Sequence, residues 1–205
     1  MVLCVEAAVR LAGAQSVRPA DLAAGKLLVA SPDLPDPNFA KTVVLLVQYD
    51  ADGVVGLILN RRSKVPISRV LDGVAGAKDR PDPVYAGGPV GRTEVLALVR
   101  SRRPPGDAKR VVGDVFLVST KDEMEKTFAS ATDADTVHVY LGYSGWTAPQ
   151  LEHELHLGAW YIFQGSAKAV FDSAPDALWE RLIRETELQI AFRLSEAGGG
   201  RPPRD

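Results

Sequence analysis

The sequence predicts a mixed α/β domain: a largely antiparallel sheet of about eight strands with three or four packed helices, folded as one complex unit. Two observations carry this. A β-branched run, KTVVLLVQY, is followed by a DADG turn and a second apolar run, VVGLILN, which together read as a hairpin. The remaining strand-like runs do not alternate regularly with helical ones, as a doubly wound parallel sheet would require.

The 205 residues suit one domain with extensions: 1–20 as an N-terminal extension, 21–194 as the domain, 195–205 as a disordered tail. Residues 1–17, MVLCVEAAVRLAGAQSV, resemble a signal peptide only weakly, because Glu6 and Arg10 interrupt the apolar stretch and no cationic region precedes it. The last residues, AGGGRPPRD, offer nothing to bury.

The elements follow in order. KLLVAS (26–31) is a short buried strand. SPDLPDPNF has three prolines, which remove amide donors, so it forms an ordered loop and not a helix or inner strand. The hairpin at 41–60 is apolar on both arms, so both faces of the sheet are covered. Gly56 within it marks a bulge or a close backbone approach. A short helix is predicted at 67–74, a short strand at 84–85, and strands at 95–100 and 114–118. SRRPPGDAKR lies between these last two as a polar loop.

Thr120 and Glu123 form a capping box, which starts a helix running to about residue 131. A strand at 136–141 merges into GYSGW, read as a tight turn around close-packed glycines. Thr147, Pro149 and Gln150 then start another helix. Strands are predicted at 160–163 and 168–171. A last amphipathic helix spans 175–187, with Leu178, Leu182 and Ile183 on one side.

Two motifs suggest chemistry. Gly142-Tyr143-Ser144-Gly145-Trp146 begins like a nucleophile elbow, but Trp146 stands where that turn needs its second glycine. The later histidines, His153 and His156, lie on the very next helix, an unusual place for a triad base. As metal ligands they are three apart, not the zincin four. At about 100° per residue both point away from the apolar stripe of Leu151 and Leu155, so both face water. No metal and no cofactor is expected.

Composition narrows the partners. A formal net charge of −2 supplies no global field for nucleic acid or an anionic membrane, and no apolar run is long enough for a membrane span. Two local clusters keep nucleic acid among the partner classes: Arg100, Arg102, Arg103, Lys109, Arg110, and Arg61, Arg62, Lys64, Arg69. No basic recognition helix accompanies them. The single cysteine, Cys4, rules out an intrachain disulfide and fits a reducing, cytoplasmic setting.

What remains is a set of polar and glycine-rich corners: Asp36 in the proline loop, Asn60 and Arg61 ending the hairpin, Gly87 and Gly88, then Tyr143, Ser144 and Trp146, and Gln150 with Glu154 at i, i+4. Loops hold such groups to bind something or to brace one another. The expectation is a non-enzymatic binding or regulatory module, with these residues around a shared groove for a small ligand or protein partner. The alternative is an enzyme of unknown class, hydrolytic in type, using Asp36, Ser144 or Glu154.

Three blocks in order, GKLLVASPDLPDPNFAKTVVLLVQYDADGVVGLILNR, VYAGGPV and LGYSGWTAPQLEHELHLGAWYIF, resemble the YqgE/AlgH family of bacterial proteins and span most of the chain. The resemblance implies a compact α/β fold with a complex mixed sheet. It carries no reaction; one branch of the family is described as a transcriptional regulator linked to alginate production. Gln48 and Tyr49 stand where members often place a His. Thr147-Ala148-Pro149 replaces a more glycine-rich stretch. In the family pattern the position of Ser144 is merely small and often Ala, which does not suit a catalytic serine.

Overall fold

The computed structural model describes residues 21–130 and 134–198. The extension at 1–20 and residues 199–205 of the expected tail lie outside them. Ten strands share one sheet: β1 (Lys26–Ala30), β2 (Val43–Asp50), β3 (Gly53–Ile58), β4 (Arg62–Pro66), β5 (Pro83–Ala86), β6 (Val90–Arg100), β7 (Lys109–Val112), β8 (Val115–Val118), β9 (Val137–Trp146) and β10 (Trp160–Gln164). The path is β10-β1-β2-β3-β9-β6-β8-β7, with β4 and β5 joined to it through β9. Every pairing is antiparallel except β5 on β9. The helices are α1 (Ile67–Val70), α2 (Lys121–Ser130), α3 (Ala148–His156), α4 (Ala167–Val170) and α5 (Leu178–Gly198). The chain is therefore mixed α/β with a mainly antiparallel sheet, as its sequence predicts.

The hairpin is β2 and β3. Five consecutive residues of β2, Val43 to Val47, are buried, as covered faces require. The irregularity falls on β2 between Leu46 and Gln48, opposite Gly56. A Cβ on Gly56 would collide with Val44 Cγ1 and crowd the Trp146 ring, so the close approach is real as well.

β9 is the hub. Its first half pairs β6 and, through Tyr140 and Leu141, β5. Its last three residues pair β3, with Val54 opposite Trp146. Two cores lie along it. One packs Leu27, Leu45, Trp146 and Trp160 under Leu151 and Leu155 of α3 and Ile183 of α5. Burying two leucines one helical turn apart stabilises α3 by about 2 kcal/mol each, more than its short length could supply alone. The other core packs Phe116, Val139 and Val84 against Met124 and Phe128 of α2. The α2 capping box is complete: Thr120 Oγ1 accepts from Glu123 N, and Glu123 Oε2 accepts from Thr120 N.

Several local expectations are corrected. GYSGW is not a turn: β9 continues through it, with a local irregularity at Gly142 (φ 69°), because β3 supplies hydrogen-bond partners to its end. The predicted strand at 168–171 is the one-turn helix α4, since Ser166 Oγ accepts from Ala169 N and caps it. The helix at 67–74 shrinks to one turn, followed by turns to residue 79. β4 and the start of β7 are strands where the sequence predicts none, because each is held by a neighbour, β5 and β8 respectively. The last helix extends beyond 187 to Gly198, so residues 195–198 of the expected tail are helical.

Candidate functional site

The segment 36–41 is built by its own chemistry. Asp36 Oδ1 accepts from Asn38 N at 2.8 Å, while the Asp36 carbonyl accepts from Phe39 N and Ala40 N. The turn ends at Lys41, the one described non-glycine residue with a left-handed φ, 56°. Asn60 clamps that ending. Its Nδ2 donates to Lys41 O and its Oδ1 accepts from Val43 N, each at 2.9 Å. Arg61 reaches further up the turn, donating from Nη2 to Pro37 O at 3.3 Å and, more weakly, to Ala40 O. Burial pushes the Arg61 pKa down from the ordinary arginine value, and the Asp36 carboxylate works against that shift.

This turn presents Phe39 to two indoles. Phe39 stacks on Trp146 with ring centroids 5.3 Å apart and meets Trp160 edge-on at 5.4 Å. Beneath them Glu154 Oε2 accepts from Trp146 Nε1 at 3.1 Å and from Trp160 Nε1 at 2.9 Å, while Glu154 Oε1 accepts from Gln150 Nε2 at 3.0 Å. Trp146, Gln150 and Glu154 therefore form one network. Trp160, read from sequence only as the start of a strand, completes it.

The Gly87-Gly88-Pro89 corner crosses β9 at contact distance. Gly87 N donates to Leu141 O, and Gly87 O accepts from Ile58 N. A Cβ on Gly87 would collide with Gly142 O, and one on Gly88 with the Tyr143 backbone. Only glycine fits at both positions. Ser144 is fully buried beneath this corner and donates to Gly87 O at 3.3 Å. Its hydroxyl is committed to a backbone carbonyl within the sheet, a poor position for a nucleophile. Tyr143 lies on the opposite face of β9, with its ring beside Gly91 and Gly145.

Between the turn and the corner lies a cavity of about 300 Å³, lined by Asn38, Arg61, Ala86, Gly88, Pro89, Arg92 and Leu141. Of the residues singled out in the sequence, Arg61 and Gly88 line it. Asp36 and Asn60 brace the turn, and Gly87 and Ser144 are bonded to each other at the corner. Trp146, Gln150 and Glu154 form the separate network that holds Phe39, and Tyr143 belongs to neither. The groove is thus two adjoining clusters joined by residues 36–41.

Arg92 was not foreseen. It sits in the irregular stretch of β6 between Val90 and Val95, where the pairing with β9 shifts register, a feature no residue pattern marks. Asn38 was legible within DPNF but not separable from its neighbours.

The other chemistry-bearing residues are placed as follows. His153 and His156 are both exposed, as expected from the helical stripe. No group of three or more His, Cys, Asp or Glu residues among the described residues is arranged to hold a metal ion. Arg100 pairs with Asp114, and Arg110 lies over the Phe116 ring while bonding Gly113 O, so these members of the basic loop are already engaged. No helix among the described residues is long and apolar enough to cross a membrane.

A family model described as AlgH-like matches residues 27–191. A UPF0301 protein of Streptomyces avermitilis is 35% identical over 177 residues, covering 82% of this chain and 89% of the relative. A UPF0301 protein of Chlorobium phaeobacteroides is 34% identical over 185 residues, covering 87% and 95%. The solution structure of the AlgH protein from Pseudomonas aeruginosa superposes with a TM-score of 0.64 at 25% identity, over 94% of this chain and 99% of that one. A crystal structure of a Corynebacterium diphtheriae protein gives a TM-score of 0.68 at 20% identity, over 85% and 98%, a likeness of fold alone.

Proposed function

The chain belongs to the AlgH-like family, and from that premise we propose that it is a non-enzymatic binding module, regulatory in role, whose recognition site is the cavity between the 36–41 turn and the Gly87–Pro89 corner. One observation carries the reading. A turn exposed to solvent is fixed from three sides, by the Asn60 clamp, by Arg61 and by the Phe39 seat on two indoles. That much ordering entropy goes into a segment of which only Phe39 packs against the core. A pre-formed wall beside a cavity near the lower size limit of ligand sites is what such fixing yields.

The hydrolytic alternative gains no support from Ser144 or Glu154. The first is sealed under Gly87, and the second accepts three hydrogen bonds from structural partners. Regulation in this reading acts through a small ligand or a protein partner in a cytoplasmic setting. Direct nucleic-acid contact is the weaker reading: the net charge is −2 and Arg100 and Arg110 of the basic loop are already engaged.

The test is a fragment screen of mixed charge followed by backbone amide shifts of the labelled protein. Hits that move the amides of Asn38, Gly88 and Leu141 together are expected. A screen whose hits all map elsewhere would remove the site from the cavity.

A further inference from the structure

The cavity's two charged side chains differ in how far they are satisfied. Arg61 gives one nitrogen, Nη2, to two backbone carbonyls at 3.3 and 3.5 Å, long bonds that leave most of the guanidinium's donors facing elsewhere. It is half-buried, and its pKa is pushed down by that burial. Arg92, on β6, is exposed where it lines the cavity and makes no ion pair among the described residues. Asp36 offsets part of the Arg61 charge from behind the turn, and no acid lines the cavity itself. The remaining walls are Ala86, Gly88, Pro89 and Leu141, with the Asn38 amide at the rim. Apolar walls lower the local dielectric and strengthen whatever charge interaction forms there.

Resting on the binding-module reading, we propose that the ligand is a small organic oxyanion. The Arg61 and Arg92 guanidinium groups grip a carboxylate or phosphate from two sides, and the Ala86, Pro89 and Leu141 wall receives an apolar body. Guanidinium geometry matches both oxyanions through paired N–H donors. A volume of about 300 Å³ exceeds that of a bare inorganic anion and leaves room for a ring or short chain. Such a ligand relieves the incomplete satisfaction of Arg61 and supplies Arg92 with a partner. A cation would be repelled by both walls.

The experiment titrates the labelled protein with benzoate, phenyl phosphate, inorganic phosphate and benzamide, reading the amides of Asn38, Gly88 and Leu141. Benzoate or phenyl phosphate should bind roughly tenfold or more tightly than neutral benzamide, as charge-assisted hydrogen bonds would give. The stronger of the two identifies the preferred oxyanion, and inorganic phosphate should be weaker than phenyl phosphate. Arg92→Gln, an exposed substitution that leaves the braced turn intact, should erase most of the anion preference, read as the ratio of benzoate or phenyl phosphate affinity to benzamide affinity in the same variant. Benzamide binding as tightly as the anions at the same amides would overturn the oxyanion while leaving the binding module standing. An unchanged anion preference in Arg92→Gln would overturn the two-arginine grip. No shift at these amides with either organic anion at millimolar concentration would overturn it too, and the neutral fragments of the wider screen then decide the module separately.

Discussion

Glu154 accepts hydrogen bonds from Trp146 and Trp160 on the same carboxylate oxygen, at 3.1 and 2.9 Å, and so fixes two indoles from different strands under one aromatic ring of the 36–41 turn. An i, i+4 pair with Gln150 on α3 holds the carboxylate in place. Glu154→Ala strands two buried indole N–H groups and should cost about 2–4 kcal/mol. Gln150→Ala removes one exposed bond and should cost about 0.5 kcal/mol. Urea unfolding followed by tryptophan emission measures both; equal effects would mean that the network is not centred on Glu154.

The corner at Gly87 and Gly88 tolerates no side chain. Gly88→Ala drives a Cβ into the backbone of Tyr143 and Ser144, neither of which is a flexible side chain that could swing aside. A loss of about 3 kcal/mol or more is expected. Gly73→Ala, where nothing lies within 4 Å, is the control and should change stability by less than about 0.5 kcal/mol. Thermal unfolding of the pair checks the claim.

Ser144→Ala separates structure from chemistry. Gly87 O keeps its bond from Ile58 N, so no acceptor is left bare, and the expected cost is about 1 kcal/mol or less. A much larger loss of stability, or loss of a hydrolytic activity present in the wild type, would restore the serine to a functional role.

Much of this was legible in the chain. Turn chemistry announced the proline loop and the hairpin, and Thr-x-x-Glu announced α2, because local hydrogen bonds of near neighbours decide those features. GYSGW reads as a turn because its residues answer to partners 57 and 90 residues away, Gly87 over Ser144 and Val55 opposite Gly145. KAVF looked like a strand, yet Ser166 capping outweighed its short alternation. The cavity escaped for the same reason: Arg92 meets Arg61 only through the order of strands around β9. The residue types were visible, but their grouping into one cavity lining and one buried network was a property of topology.

His138 makes stability depend on pH. It lies between Tyr85 and Phe171, with ring centroids 4.6 and 4.9 Å away. Burial first, then the Arg62 charge, lowers its pKa from 6.5 to about 4. The folded protein therefore binds fewer protons than the unfolded chain between these values, so the stability held above pH 6.5 falls as pH drops towards 4. The loss attributable to His138 is about 3 kcal/mol at most. His138→Phe keeps a ring in the stack and should flatten the slope of stability against pH in that window; an unchanged slope would assign it to other groups.

The relation of Phe39 to the cavity bears most directly on whether the turn is held for recognition. Phe39→Ala removes the seat on Trp146 and Trp160 while leaving Asn60, Arg61 and the Gly87–Pro89 corner in place. It should cost about 2 kcal/mol of stability, since the ring is only partly buried, and the protein should remain folded. Amide-shift titration of this variant with the fragments that bind the wild-type cavity is the decisive measurement. Affinity at Asn38 and Gly88 reduced tenfold or more, with the sheet amides unmoved, is the expected result; wild-type affinity in Phe39→Ala would contradict the claim that the braced turn forms the binding wall.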